Sequence, residues 1–175
     1  MSQSEHYKIL VVEDEVEMGD LITLILSRVG DDVQTATTAQ QGLVMAEQYQ
    51  PDLVILDLSL PDTFHFQDYE YGICHRFKTG SLRQNTPVLL MEATSPKLVY
   101  PNAKRFGASG YLVKPFDPLE LLAARTALLR GELYYPLDNP TQAEEQMKEA
   151  AILARHLKEL AQRVNREVTT AFQQQ

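Results

Sequence analysis

Tryptophan is absent from this chain, cysteine occurs once, and no apolar run is long enough to cross a bilayer. The lone cysteine, Cys74, rules out an internal disulfide and any multi-cysteine zinc site, and it fits a reducing cytosol. On a helix it reads as a small apolar residue. Basic residues are also scarce: 16 Lys and Arg stand against 24 Asp and Glu, a formal net charge of −8. That balance argues against a free-standing nucleic-acid binder, because cationic contacts to phosphate supply most non-specific affinity. The N-terminal stretch MSQSEHYK lacks the apolar segment of a signal peptide, so a soluble cytoplasmic protein is expected, with no membrane partner. A length of 175 residues leaves room for one substantial core and a tail.

What the chain does have is a set of apolar runs that end in charge. Ile9–Val12 leads into Glu13 and Asp14, Leu53–Leu56 into Asp57, and Tyr111–Val113 into Lys114. A buried parallel strand reads as a continuous apolar run, and open α/β sheets bind ligands beyond the carboxyl ends of their strands. If these strands are neighbours, three carboxylates and one ammonium converge. Clustered carboxylates repel one another unless a cation sits among them, which implies a hard divalent metal, Mg²⁺. A lysine facing that metal suggests a phosphoryl group as the remaining partner. Taken singly, Glu13 and Asp14 could be acids complementing a helix N-terminus, Asp57 a turn cap, and Lys114 a surface lysine. The constellation carries the reading.

Strand and helix signals alternate from Tyr7 to Arg130. Strands are expected at Tyr7–Val12, Asp32–Ala36, Leu53–Leu56, Pro87–Met91 and Tyr111–Val113. Helices are expected at Glu15–Arg28, Ala39–Gln48, Tyr71–Lys78, Lys97–Phe106 and Pro118–Arg130. The first helix presents Leu21, Ile22, Leu24, Ile25 and Val29 as its apolar face, and the second Leu43, Val44 and Ala46. Gly30 and Gly131 supply helix stops, and Pro118 suits a first turn. Five βα units imply a five-stranded doubly wound parallel sheet, an α/β domain over 1–131. Residues 132–140 then read as a linker rich in turn formers. Residues 141–175 read as a long C-terminal helix, opened by a capping box at Thr141 and Glu144 and unbroken to about Phe172. It would be roughly 48 Å long. Ala150, Leu153, Leu157, Leu160, Val164 and Ala171 form a narrow stripe, interrupted by Glu167, that suggests a homodimeric coiled coil through 141–172. Folding back on the parent domain is the alternative. The pattern stops in mid-repeat at Ala171–Gln175, as in a fragment of a longer protein.

The segments Val11–Glu15 (VVEDE), Val54–Asp62 (VILDLSLPD), Pro87–Ala93 (PVLLMEA) and Phe106–Asp117 (FGASGYLVKPFD), in this order, resemble the receiver domain of two-component response regulators. The resemblance implies a flavodoxin-like fold with Asp57 as phosphoacceptor and a sensor histidine kinase or phosphotransfer protein as donor. It implies Mg²⁺ held by Asp14 and Asp57, by the backbone carbonyl of Ser59, and by Glu13 through water. Lys114 would pair with a phosphoryl oxygen, and the Lys114–Pro115 bond would be cis. Such a domain is a signalling module rather than an enzyme, catalysing only its own phosphoryl transfer and hydrolysis. Phosphorylation would change the face made by the fourth helix, fifth strand and fifth helix, and the C-terminal helix would carry the signal onward.

Two departures from the family pattern stand out. Where a switch threonine or serine is usual, this chain has Glu92, whose carboxylate would repel a phosphoryl group; Thr94 could supply the hydroxyl instead. The aromatic partner of the switch is present as Tyr111, although an aromatic there also serves ordinary packing. The loop Asp62–Glu70 is longer than is usual and carries Phe64, Phe66 and Tyr69 close to Asp57, with Tyr71 just beyond. Those rings could form a lid on the site or pack on the sheet edge. His65 and His75 are too isolated to be ligands. Glu92 and this loop motivate an alternative, a phosphorylation-independent pseudo-receiver acting as a protein-interaction scaffold. A phosphatase of the haloacid dehalogenase type is disfavoured because Ser59 stands where it needs a second aspartate. A flavodoxin-like cofactor carrier is disfavoured because no glycine-rich loop follows the first strand. Residues 131–175, with seven acidic and five basic side chains, are not expected to bind nucleic acid directly.

Overall fold

The structure, a computed structural model, describes residues 6–63, 69–81, 85–93 and 96–135, and eight more between 141 and 159. Five strands, β1 (Lys8–Val12), β2 (Asp32–Ala36), β3 (Leu53–Asp57), β4 (Val88–Glu92) and β5 (Gly110–Val113), form one parallel sheet in the order β2-β1-β3-β4-β5. The helices are α1 (Val16–Arg28), α2 (Ala39–Tyr49), α3 (Tyr69–Arg76), α4 (Pro96–Arg105) and α5 (Pro118–Leu129). A π-helical turn, Phe77–Ser81, extends α3. The doubly wound α/β class expected from the alternating pattern is the one observed.

Side-chain alternation splits the sheet between two cores. Leu10, Val12, Val54, Leu56, Val88 and Leu90 join Leu43, Ala46, Ile73, Phe77 and Ala103 from α2, α3, the π turn and α4. Ile9, Val11, Leu53, Ile55, Leu89 and Met91 join Ile22 and Leu26 of α1 and Leu121, Ala124 and Leu128 of α5. Burial on both faces is why these strands read as unbroken apolar runs. Gly42 of α2 lets the helix sit close to β1, since a Cβ there would lie 2.8 Å from Val12 Cγ2. Cys74 is buried on α3, and desolvation pushes its thiol up to about 12, so it behaves as packing.

Helix boundaries follow local chemistry. Thr38 caps α2 by accepting from the Gln41 amide at 3.1 Å. Asp117 and Glu120 form a capping box ahead of Pro118, and Gly131, at φ +79°, follows α5. Two helix faces differ from expectation. On α1, Leu21 and Leu24 are exposed, and Ile22 and Leu26 form the buried seam with Met18, Ile25 and Val29 beside it. On α2, Val44 is exposed and Tyr49 buried. The apolar residues outnumber what a single facing layer can cover, so position around the helix, not hydrophobicity, decides burial.

The start of the expected linker is part of the folded unit. Tyr134 and Tyr135 are buried, and Tyr134 forms a parallel bridge with Gly110 beside β5. Thr141, the expected cap of the long helix, is itself helical, as are Glu145, Lys148, Glu149, Ala151, Ile152, Arg155 and Glu159. The coiled-coil stripe residues lie outside the described residues.

Candidate functional site

Register brings the charged strand ends together. Val12 pairs with Leu56, so Glu13 and Asp57 leave their strands at the same level. Asp57 pairs with Met91, and Glu92 with Val113, which sets Lys114 at the same edge. The chain crosses over between β1 and β3, and a crevice opens at such a reversal.

One carboxylate oxygen each from Glu13, Asp14 and Asp57 lies within 4.8 Å of the others. Glu13 and Asp57 are buried at 3% and 1% exposure, and Asp14 is exposed. Lys114 Nζ donates to Glu13 Oε2 at 2.7 Å and sits 3.0 Å from Asp57 Oδ2. The Ser59 amide donates to Asp57 Oδ1 at 3.1 Å, and the Glu15 amide to Glu13 Oε1 at 3.1 Å. Burial pushes the Glu13 carboxyl above its usual range, against the hydrogen bond from Lys114, and the Asp57 charge adds to the rise. Burial disfavours the Lys114 ammonium, yet the hydrogen bonds to Glu13 and Asp57, with their charges, outweigh it and raise its pKa. Lys114 therefore stays cationic throughout the working pH range. The Lys114–Pro115 bond is cis.

The donor set suits Mg²⁺: it offers oxygen only, carries several negative charges, and has one exposed carboxylate that leaves room for water ligands. A model of the response regulator receiver domain matches residues 9–126, two thirds of the chain. The chain belongs to the response regulator receiver family. Among curated proteins, the receiver is 37% identical over 123 residues to the DNA-binding dual master transcriptional regulator RpaA of Synechocystis sp., a match covering 70% of this chain and 49% of that protein. It is 36% identical over 125 residues to the response regulator ArlR of Staphylococcus aureus, covering 71% of this chain and 53% of ArlR. The chain thus spans about half the length of the curated relatives it matches. Among solved structures, the chemotaxis response regulator CheY4 of Vibrio cholerae superposes with a TM-score of 0.63 at 27% identity, over 71% of this chain and 99% of CheY4. The receiver domain of NtrX from Brucella abortus does so with 0.63 at 29%, over 70% and 98%.

Other predicted site residues are distributed around this centre. Tyr111 is buried three residues before Lys114, its ring centroid 5.8 Å from that of Tyr135. Glu92 is half-buried at the end of β4, its Oε1 accepting from the Ala93 amide at 2.8 Å, and it is not one of the converging carboxylates. Thr94 and the aromatic segment 64–68 lie outside the described residues. Two contributors were missed in the sequence. The Ser59 hydroxyl lies 2.9 and 3.0 Å from the two Asp57 oxygens, a contact that the expectation for its carbonyl did not include. Asp62 accepts from the Ala39 and Gln40 amides at 2.8 and 3.0 Å, tying the loop after β3 to the start of α2. An acid beyond Leu60-Pro61, opposite a helix start, is the signal that could have revealed it.

Proposed function

We propose that this receiver accepts a phosphoryl group on Asp57 from a sensor histidine kinase or phosphotransfer protein, in the presence of Mg²⁺. The observation that supports it best is the convergence of Glu13, Asp14 and Asp57 with Lys114 bridging two of them. An Asp57 oxygen attacks phosphorus, the bond from phosphorus to the donor imidazole breaks, and an acyl phosphate forms. A carboxylate is a weak nucleophile, so positioning and charge do most of the work. Ser59 orients the Asp57 carboxylate, and Lys114 meets the incoming phosphoryl oxygens with a fixed positive charge. Mg²⁺ would be held by Asp14, Asp57, the Ser59 carbonyl and Glu13, and supplies further neutralisation of phosphoryl charge. Water later cleaves the acyl phosphate and resets the site.

Incubation with acetyl phosphate and Mg²⁺ should add one phosphoryl group to the intact mass, and removal of the metal with EDTA should abolish the gain. Uptake that ignores EDTA would overturn the metal assignment. No uptake together with no Mg²⁺ binding would favour the scaffold reading.

The signal leaves through the polypeptide after α5, and residues 141–172 join two copies. Leu157→Lys should then halve the mass in light scattering without altering phosphoryl uptake. The DNA binding named for RpaA stays with RpaA; the acidic balance of 131–175 supports no direct nucleic-acid contact here. Among the described residues no helix is long and apolar enough to cross a membrane.

A further inference from the structure

The loop that leaves β3 carries the acceptor at one end and a second carboxylate, Asp62, towards the other. Along the way it is held at several points. The Leu58 amide donates to the Met91 carbonyl at 3.0 Å, the Leu58 and Leu60 side chains are buried, and the hydroxyl of buried Thr63 donates to the Leu60 carbonyl at 2.9 Å. Ser59, between the two leucines, is exposed. Asp62 then takes both amides at the start of α2, Oδ1 from Ala39 at 2.8 Å and Oδ2 from Gln40 at 3.0 Å. A negative charge is favourable at a helix N-terminus, and two amides fix the carboxylate plane as one would not. The same stretch of chain holds the other acid-bearing loop, because the Glu13 amide donates to the Ala36 carbonyl at 2.9 Å. Residues 36–41 are themselves stiffened: the Thr38 hydroxyl accepts from the Gln41 amide at 3.1 Å, and Gln41 Oε1 accepts from the Thr37 amide at 3.0 Å. The loops after β1 and β3 therefore share one abutment at the start of α2.

We propose that Asp62 is a positioning residue for Mg²⁺, holding the Ser59 turn at the separation from Glu13 and Asp14 that the ion requires. The proposal rests on the reading of this centre as a Mg²⁺ site. Glu13, Asp14 and Asp57 repel one another before the ion arrives, and that repulsion pushes the loops after β1 and β3 apart. Lys114 opposes it from the side of β5, where it bridges Glu13 and Asp57. Asp62 opposes it from the side of β2, where α2 begins. Mg²⁺ tolerates little departure from octahedral geometry at about 2.0–2.1 Å, so a small displacement of the loop costs affinity. Asp62 is not one of the converging carboxylates; it acts through the turn that presents Asp57 and Ser59. Groups that orient metal ligands in this way are commonly worth about 10- to 100-fold in affinity.

The test titrates Mg²⁺ into the full chain and follows the amide resonances of residues 57–60 by NMR. Asp62→Ala should raise the Mg²⁺ dissociation constant by about tenfold. Acetyl phosphate uptake should need correspondingly more Mg²⁺ and return to the parent rate once the ion saturates, a split that misfolding does not produce. Asp62→Asn, which keeps one oxygen acceptor, should recover part of the affinity. Thr38→Ala is the control: it removes the cap of the same helix start but leaves the tie between the loops, so Mg²⁺ affinity should stay at the parent value. Unchanged affinity in Asp62→Ala, or an equal loss in Thr38→Ala, would overturn the proposal. Asp62→Asn decides on the same criterion if Asp62→Ala does not fold. A parent that binds no Mg²⁺ defeats the metal reading together with this proposal, whereas a parent that binds it no tighter than the Asp62 variants defeats this proposal alone.

Discussion

Asp57→Ala should take up no phosphoryl group from acetyl phosphate and Mg²⁺ under conditions that load the parent fully. The loss is complete because no neighbouring carboxylate can substitute. Glu13 is tied at one oxygen to Lys114 and at the other to the Glu15 amide. Asp14 is exposed and lacks the Lys114 partner that Asp57 has. The fold should survive, since the Glu13–Lys114 pair remains to neutralise the buried acid. Removing the Asp57 charge also removes one of the influences that raise the Glu13 carboxyl, so Glu13 should titrate lower in the variant. Intact mass measures the first effect and carboxyl NMR the second. A variant that still gains a phosphoryl group would place the acceptor elsewhere.

Cutting the Asp31–Arg125 pair should have the largest effect on stability. Arg125 projects from α5 to Asp31, just before β2; its Nε donates to Asp31 Oδ2 at 2.9 Å and its Nη2 to Oδ1. Its guanidinium carbon lies 4.9 Å from the Tyr7 ring centroid. Both charged residues are buried. Arg125→Met or Asp31→Leu alone strands the opposite charge in a core, at a cost of about 3–5 kcal/mol. For a domain of this size the melting temperature should fall by about 10 °C or more. Making both substitutions together should recover most of that loss, because no uncompensated charge is left. Arg125→Lys should recover little, since an ammonium cannot reproduce the paired contact. Denaturant melts of the four variants check this, and a mild single-variant effect would show that water reaches the pair.

The sheet was legible where it is most buried. Strands β1 and β3 are covered on both faces and appear in the sequence as unbroken aliphatic runs, with the acids of the site directly after them. β2, an edge strand with three exposed residues among five, carried a weak signal. Leu21, Leu24 and Val44 misled because hydrophobicity alone does not fix the angle around a helix. Tyr134 and Tyr135 read as linker in the sequence because a segment pairing through a single bridge has no periodicity to betray it. Arg125 carries a sequence signal of its own: a single charge within LLAARTALL, on a helix buried almost all round, needs a buried partner. At the site, Glu13, Asp14, Asp57 and Lys114 were readable from strand ends. The Ser59 hydroxyl was not, because a serine in a turn is ordinary until the coordinates aim it.

Glu13 and Lys114, in direct contact, stand 101 residues apart in the chain, with Asp57 between them. No fragment lacking either end of the domain can assemble this centre, and neither can a copy whose sheet has opened between β3 and β5. A chain cut off before Lys114 has no ammonium to face Glu13 and Asp57, so the centre is complete only once synthesis has passed β5.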